Sequence, residues 1–132
     1  MKRVLFVLSV LALLAGCNKE PGEGGKAEIR GRVIEQRYSL SGNPIGDPYA
    51  VIGENVYIVY GETTEGVFPD DNVDTGPNGE FRFPWLRKGE YTIFVRSECR
   101  DCSGGTKAVI RSASIGDAKE VVDLGIIPIE NY

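Results

Sequence analysis

The clearest alternation of apolar and polar residues along the chain lies between positions 75 and 97. After a Pro-Asn-Gly turn signal, the aromatic residues Phe81 and Phe83 alternate with charged ones. A second alternating run follows the interruption at Pro84 and has apolar residues at every second position from Tyr91. A period of two residues is typical of a strand with one buried face. We therefore predict two amphipathic strands that belong to an antiparallel sheet and turn these apolar residues to the core.

The rest of the chain repeats this pattern in shorter runs separated by Gly, Pro, Asn and Asp. Strands are predicted at 26–34, 55–60, 107–115 and 120–127, and loops at 39–48, 61–75 and 98–106. The run that begins at Asn55 is apolar on both faces after its first residue, which indicates a central strand. No stretch after residue 16 shows sustained helical periodicity. Six or seven strands of this kind predict an all-β protein, folded as an antiparallel β-sandwich.

The N-terminal segment has the composition of a targeting signal. Two basic residues precede an apolar run from Val4 to Leu14, which is too short to span a bilayer comfortably. The run ends in Leu-Ala-Gly-Cys, which resembles the bacterial lipobox, where the Cys is acylated after cleavage. An ordinary secretory signal is the alternative. The sequence predicts a lipoprotein signal peptide at 1–16, a lipidated Cys17 with a flexible tether at 17–26, and a β-sandwich domain at 27–132.

The expected location is the outer membrane. Asn18 is not the Asp that retains many lipoproteins at the inner membrane, and Lys19-Glu20 resembles an export signal of Bacteroidetes lipoproteins. The periplasmic face and the cell surface both remain open. The chain has 15 basic and 19 acidic residues, for a net charge of −4, which argues against a nucleic-acid partner. Attachment to the membrane is therefore expected through the N-terminal lipid.

Several of the predicted strands carry a family resemblance, densest from Gly79 to Val95. It rests on these segments: Ile29-Arg30-Gly31-Arg32-Val33, Asn55-Val56-Tyr57-Ile58, Gly79-Glu80-Phe81-Arg82-Phe83, Leu86 and Gly89-Glu90-Tyr91-Thr92-Ile93. Together they resemble the carboxypeptidase regulatory-like domain, a transthyretin-like, Greek-key β-sandwich. The chain departs from that pattern at Gly76, where the family often has Asp, and in its longer acidic loop. The resemblance implies a folding or binding accessory without catalysis.

Cys99 and Cys102 form a Cys-x-x-Cys pair in a predicted loop. A redox pair of this spacing needs a helix N-terminus to lower the thiol pKa, and Ser-Gly-Gly follows here instead. Zinc binding lacks ligands, because the chain has no His and Cys17 is assigned to the lipid. A structural disulfide is expected in an oxidising envelope. Free thiols, or a thiol-redox or metal-binding envelope protein that uses this pair, are the alternatives.

Asp70, Asn72 and Asp74 recur at every second residue, as at the start of a calcium loop. Thr75 stands where such a loop needs Gly, and Phe81 where it needs a bidentate Glu. A solvated acidic loop is the preferred interpretation, with a calcium site as the weaker candidate. No cofactor is expected.

Catalysis finds little support in the sequence. Without a His, neither a Ser-His-Asp nor a Cys-His site can be assembled. The carboxylates are numerous, but no pattern buries a pair so that their pKa values separate. The glycines fit no phosphate loop before a helix. We therefore expect a protein that is not an enzyme.

Three large aromatic residues are candidates for a partner surface. Phe94 lies on the outward side of its predicted strand, Trp85 follows the interruption at Pro84, and Phe68 lies in the acidic loop. Exposed aromatic patches mark protein or sugar sites, although burial under a second sheet or the long loop is the alternative. The expected function is a non-catalytic binding or structural module for an unknown protein or glycan partner, contacted through loops at one end of the sandwich that include 61–75 and 98–106.

Overall fold

The computed structural model describes residues 20–63 and 68–132, and these residues contain strands, turns and bends but no helix. The predicted signal peptide and Cys17 therefore lie outside the described residues. The strands are β1 (Glu23–Tyr38), β2 (Pro44–Ala50), β3 (Asn55–Tyr60), β4 (Asp71–Asp74), β5 (Glu80–Leu86), β6 (Gly89–Glu98), β7 (Thr106–Ile115) and β8 (Val121–Asn131). In this part of the chain no helix is long and apolar enough to cross a membrane.

The eight strands form two four-stranded sheets that pack as a sandwich, which confirms the predicted fold class. In sheet A, β1 pairs antiparallel with β5 along its first half and with β2 along its second, while β8 covers its other edge. In sheet B the order is β4-β3-β6-β7, and β3 is internal as predicted. One described pair, β1 with β8, is parallel. β1 is the first strand of the chain and β8 is the last. The six strands between them in sequence therefore supply the long connection that a parallel pair needs.

The core lies between the sheets and is built from strands of both. Phe81, Phe83, Tyr91 and Ile93 are buried, which confirms the alternation on which the two strands were predicted. The other buried apolar residues are Ala27, Ile29, Val33, Val56, Ile58, Val59, Leu86, Val95, Ala113, Ile115, Ile127 and Ile129. Each buried aliphatic or aromatic side chain contributes roughly 1.5–3 kcal/mol relative to leaving it exposed.

The prediction that the two alternating strands belong to one antiparallel sheet is wrong. β5 pairs with β1 in sheet A, whereas β6 pairs with β3 and β7 in sheet B. The two strands face each other across the core, because the chain crosses between the sheets just after Trp85, whose φ of 60° departs from strand geometry. Two segments predicted as loops also contain strands. β2 begins inside the predicted loop 39–48 and continues to Ala50, and β4 lies inside the predicted loop 61–75. Both are edge strands with little apolar alternation.

The segment predicted as a flexible tether joins the sandwich before residue 27. β1 begins at Glu23, which pairs with Leu86. A Cβ at Gly25 would overlap the carbonyl oxygen of Leu86, so only glycine permits this approach. The amide of Gly22 donates to the Tyr91 hydroxyl at 2.9 Å. Glycines that suggested flexibility from composition thus allow close backbone packing instead.

The sandwich has two ends, which we name by their loops. The anchored end comprises residues 20–22, 61–63, 68–70, 87–88 and 116–120, and the distal end comprises residues 39–43, 51–54, 75–79 and 99–105. β6 runs from the first to the second, because Tyr91 is opposite Tyr60 and Glu98 is opposite Thr106. The expectation that the loops 61–75 and 98–106 lie at one end of the sandwich is therefore wrong for the described residues, since 61–63 and 68–70 lie at the anchored end and 99–105 at the distal end.

Candidate functional site

The three aromatic residues predicted as a partner surface do not form one patch. Phe68 is 93% exposed in the anchored end, and Trp85 is 64% exposed near the end of β5 in sheet A. Phe94 is half-buried on the outer face of sheet B, where its ring stacks on Tyr57. The core separates sheet A from that face. Each residue must therefore be considered at its own location.

An aromatic row crosses the outer face of sheet B. The strand registers place Asn72, Tyr57, Phe94 and Ile110 side by side on β4, β3, β6 and β7. Their strand neighbours, such as Ile58 and Val95, have no exposed surface, so this row faces away from the core. The rings of Tyr57 and Phe94 stack with centroids 4.9 Å apart and planes inclined by 17°. The result is an apolar stripe on an outward-facing sheet surface.

Polar side chains flank this stripe on its distal side. Asn72 Nδ2 donates to Asn55 Oδ1 at 3.0 Å, and Asn55 is opposite Asp74 on β4. Continuing the register of β3 and β6 places Arg96 opposite Asn55 on the other side. Within residues 20–63 and 68–132, Arg96 takes part in no ion pair. The stripe is therefore bordered by amides, a carboxylate and a guanidinium on exposed positions.

The alternation of the sequence indicates Phe94 as a candidate site residue, but it does not indicate Tyr57, Asn55 or Arg96. Tyr57 belongs to a run that is apolar at every position after Asn55, so the sequence does not show that its side chain lies on the outward face, between the inward Val56 and Ile58. An aromatic residue with a polar hydroxyl at an outward strand position was the available signal. The register that aligns Tyr57 with Phe94 depends on pairing between strands far apart in sequence, which periodicity does not give.

The outer side of sheet A carries charges instead of rings. An open groove of about 830 Å³ crosses β8, β1 and β5 toward the edge of β4. Its arginines are engaged within the sheet: Arg82 Nε is 2.6 Å from Glu28 Oε2, and Arg30 Nε is 3.4 Å from Asp123 Oδ2. Arg32 donates to the carbonyl of Asn78 at 3.0 Å. These pairs offset the juxtaposition of Arg30 and Arg82, which are directly opposite each other.

The calcium candidate residues do not converge on a point. Asp71–Asp74 is an extended strand, so Asn72 and Asp74 are spaced along one face. Asp70 Oδ2 accepts the Tyr60 amide at 2.7 Å, and Asn72 is bonded to Asn55. Among the residues that the structure describes, no group of three or more Cys, Asp or Glu side chains is placed to hold a metal.

Cys99 and Cys102 form a disulfide with their Cα atoms 5.4 Å apart. It closes a turn in the distal end, where the Cys99 amide donates to the Gly105 carbonyl at 2.9 Å. The turn follows β6 and precedes β7, so no helix N-terminus is adjacent to either sulfur. A helix N-terminus, one of the features that lower a thiol pKa at redox sites, is thus missing beside this pair in the described structure.

The perturbed titratable groups lie away from the aromatic row. Burial raises the pKa of Glu54 above its ordinary value, and the nearby carboxylate of Glu35 adds to the effect. The hydrogen bond that Tyr49 donates to Glu35 raises the pKa of Tyr49, with burial as the second cause. Burial also raises the pKa of Tyr60 and of Tyr91. No two of these groups form an acid and base pair around a cleft.

The first comparison with known proteins defines the class. Residues 1–18 match the prokaryotic membrane lipoprotein lipid attachment site. The chain is therefore a membrane-anchored lipoprotein, and the Cys of the matched segment is Cys17. The match does not distinguish the outer membrane from the inner membrane.

A second comparison concerns the folded domain. A candidate carbohydrate-binding protein of Pseudomonas aeruginosa, known from its crystal structure, is 15% identical, with 83% of this chain and 91% of that chain covered and a TM-score of 0.46. A similarity of this size says nothing about the ligand of the present chain. A search of curated proteins found no match. The resemblance to the carboxypeptidase regulatory-like domain stays a prediction.

Proposed function

We propose that this lipoprotein is a non-catalytic binding module of the outer membrane and that it binds a glycan on the outer face of sheet B. The observation that carries the proposal is the stacked pair of Tyr57 and Phe94 on an outward sheet face. Outward strand positions are usually polar, and the corresponding face of sheet A has charged residues. A conspicuous apolar stripe in such a place supports a ligand with apolar surface of its own.

The chemistry of the stripe and its border suits a sugar. A pyranose ring has apolar C–H surfaces and a rim of hydroxyls, so it needs apolar contact beside hydrogen-bonding groups. Tyr57 and Phe94 provide the apolar contact. Asn72 lies at the end of the same row, beside Tyr57, whereas Asn55 and Arg96 lie in the next row. The three side chains provide amide and guanidinium donors.

The charged groove of sheet A is a weaker candidate for the same role. Its arginines already make ion pairs or backbone hydrogen bonds, and a ligand would have to displace these contacts. Displacement of Arg82 would leave the partly buried carboxylate of Glu28 to be paired again. A ligand that bound the guanidinium of Arg96 would displace no ion pair among the described residues.

The absence of catalysis is part of the proposal. The chain contains no His, and the pKa shifts concern one carboxyl and four tyrosines, of which Tyr60 and Tyr91 pack against each other. General acid–base chemistry would need two such groups around one ligand. The outer membrane is proposed because residue 18 is Asn.

The test is glycan binding by the non-acylated Cys17→Ser chain on an array of neutral and acidic oligosaccharides. For any sugar retained, Phe94→Ala and Tyr57→Ala should each weaken binding by about tenfold or more, since about 1.4 kcal/mol corresponds to a factor of ten. Ile126→Ala is the matched control, because Ile126 is 58% exposed on sheet A. Circular dichroism verifies that each variant is folded.

Two results contradict the proposal. One is that no sugar on the array is retained by the folded protein. The other is that binding survives both aromatic substitutions and is lost with Arg32→Ala, which would move the site to the groove of sheet A. If the chain instead retained a protein from envelope extract, and Phe94→Ala abolished that retention, the outer face of sheet B would still be the binding site, but its ligand would be a protein and not a glycan.

A further inference from the structure

The anchored end of the sandwich lies very close to the membrane. The lipid on Cys17 holds that residue at the bilayer surface, and the described fold begins at Glu20. The Cα–Cα spacing limits the separation of these two residues to roughly 11 Å. Glu20 is itself attached to the fold, since its carbonyl accepts a hydrogen bond from Arg87 Nη1 at 3.2 Å. The residues around Glu20 therefore lie close to the bilayer.

Two exposed aromatic residues lie at this end. Trp85 is the penultimate residue of β5, and the amide of Arg87, two residues later, donates to the Gly22 carbonyl at 2.9 Å. Phe68 is two residues before Asp70, whose carboxylate accepts the amide of Tyr60 at the end of β3. Their exposed fractions are 64% for Trp85 and 93% for Phe68. Large aromatic side chains are usually buried to a far greater extent.

The backbone conformation of Trp85 places its side chain on the outside of the sandwich. Its φ is 60°, in the left-handed region that residues other than Gly, Asn and Asp seldom adopt. This conformation turns the side chain out of the inward alternation set by Phe81 and Phe83. The same conformation lies where the chain leaves sheet A for sheet B, and it leaves the indole 64% exposed. The exposed ring is therefore available for a contact outside the fold.

We propose that the anchored end is a membrane-docking surface, in which Trp85 and Phe68 enter the interfacial region of the bilayer that holds the lipid anchor. Tryptophan favours this region, because its ring is apolar and its N–H finds water or headgroup partners. The contact is apolar in origin, since the anchored end has five acidic and three basic residues and therefore no net positive charge for anionic headgroups to attract. Docking fixes the orientation of the domain and holds the distal end roughly 30 Å from the bilayer, the length of the ten-residue β6.

The chain has one tryptophan, so the fluorescence of the acylated mature protein reports on Trp85 alone. The experiment compares the protein in phosphatidylcholine vesicles, with and without brominated acyl chains, against the Cys17→Ser chain in solution. Docking predicts emission at shorter wavelength in vesicles, quenching by the brominated chains, and protection from aqueous iodide. High salt should leave these effects in place, because the contact is not electrostatic.

The matched control moves the tryptophan to the distal end. In the double variant Trp85→Phe, Ile52→Trp, the new indole replaces an apolar residue that is 67% exposed. Its emission should be quenched by iodide and unaffected by brominated lipid. The proposal is overturned if Trp85 in vesicles has the emission and iodide quenching of the soluble chain. It is also overturned if both positions respond equally to brominated lipid, which would mean that the domain has no fixed orientation.

Discussion

The two ends of the sandwich are held together by different means. At the anchored end, the N-terminal segment packs backbone against backbone: Gly25 lies on the Leu86 carbonyl, and Tyr91 bonds to both Gly22 and Arg87. At the distal end, Gly79 also lies close to a backbone carbonyl, that of Val33, and side chains add further connections, through the disulfide of residues 99 and 102 and through a buried Glu35 that accepts hydrogen bonds from Tyr49 and Asn131. The N-terminal segment of the anchored end therefore has no room for a Cβ at Gly25, whereas the distal end depends in addition on a few polar groups.

This difference suits a domain that is attached at one end and exposed at the other. A short link to the lipid transmits orientation only if the residues after it are fixed to the fold, and the packing around Gly22 and Gly25 provides this. The strands of sheet B run between the two ends, so under the proposed docking its outer face stands roughly perpendicular to the bilayer. The row of Tyr57 and Phe94 would then be open to glycans alongside the membrane.

Among the substitutions that test this difference between the two ends, Gly25→Ala is expected to lower the free energy of unfolding most. The added Cβ overlaps the Leu86 carbonyl, which is backbone and cannot move without shifting β5. We expect a loss of about 3 kcal/mol in the free energy of unfolding, at the upper end of overpacking effects. Denaturant unfolding of the Cys17→Ser chain measures it.

Gly116→Ala is the control for that substitution. It lies in the same end, and its added Cβ would meet Glu120 Oε2 at 3.8 Å, an ordinary contact. A loss for Gly25→Ala no larger than for Gly116→Ala would mean that residues 20–26 behave as the tether predicted from composition.

Tyr91→Phe should have the second largest effect. The hydroxyl donates to the Arg87 carbonyl at 2.7 Å and accepts the buried Gly22 amide at 2.9 Å. Its removal leaves buried backbone groups without partners, which costs about 2 kcal/mol. Hydrogen exchange at the Gly22 amide should accelerate along with the lower unfolding midpoint.

Tyr60→Phe provides the comparison for this hydroxyl. The ring of Tyr60 packs edge-on against Tyr91 at 6.0 Å, but its hydroxyl has no hydrogen-bond partner in residues 20–63 and 68–132. Equal losses for the two variants would mean that the hydrogen bonds of the Tyr91 hydroxyl make no measurable contribution to stability.

Local alternation predicted the core well and the topology poorly, for a physical reason. Phe81, Phe83 and Ile93 alternate with polar neighbours because one sheet face is buried, and that signal is contained in a few adjacent residues. Which strands pair is decided by contacts between residues far apart in sequence, such as Arg30 with Arg82. The separation of β5 and β6 into different sheets therefore left no trace in the alternation.

The candidate site was predictable only in part for the same reason. The outward parity of Phe94 is a local property, but its neighbour Tyr57 is found only through the register of β3 and β6. The tether was misjudged because glycine has two opposite uses. A glycine-rich composition indicates a flexible segment. In the structure, however, Gly25 has no side chain to prevent its backbone from lying directly against the Leu86 carbonyl.

A smaller effect is expected at the distal end from the double substitution Cys99→Ser, Cys102→Ser. The disulfide closes a very short loop, and the chain-entropy relation gives about 2 kcal/mol or less. Unfolding by denaturant should show this loss, with glycan binding and the emission of Trp85 in vesicles unchanged. A protein that uses the pair for redox chemistry would instead show a low-pKa thiol after reduction, detectable by its rate of alkylation near neutral pH.

The smallest effect is expected from Glu54→Gln, also at the distal end. Burial raises the pKa of Glu54 above its ordinary value of 4.5, and Glu35 adds to the shift. Between these two pKa values the folded state binds more protons than the unfolded state, so stability falls as the pH rises through the window. The neutral Gln removes this loss. It should stabilise the protein at pH 7 by less than about 0.5 kcal/mol, because the group remains partly solvated.

The measurement is the free energy of unfolding as a function of pH for both chains. The gain of Glu54→Gln should be present at neutral pH and disappear as the pH is lowered below 4.5, where the native Glu is protonated in both states. Asp47→Asn, on the exposed β2, serves as the control and should show no comparable gain. A gain of equal size for both would indicate a general relief of negative charge. A gain confined to Glu54 would show that the distal end has a local electrostatic cost around Glu35, which the backbone packing of the anchored end avoids.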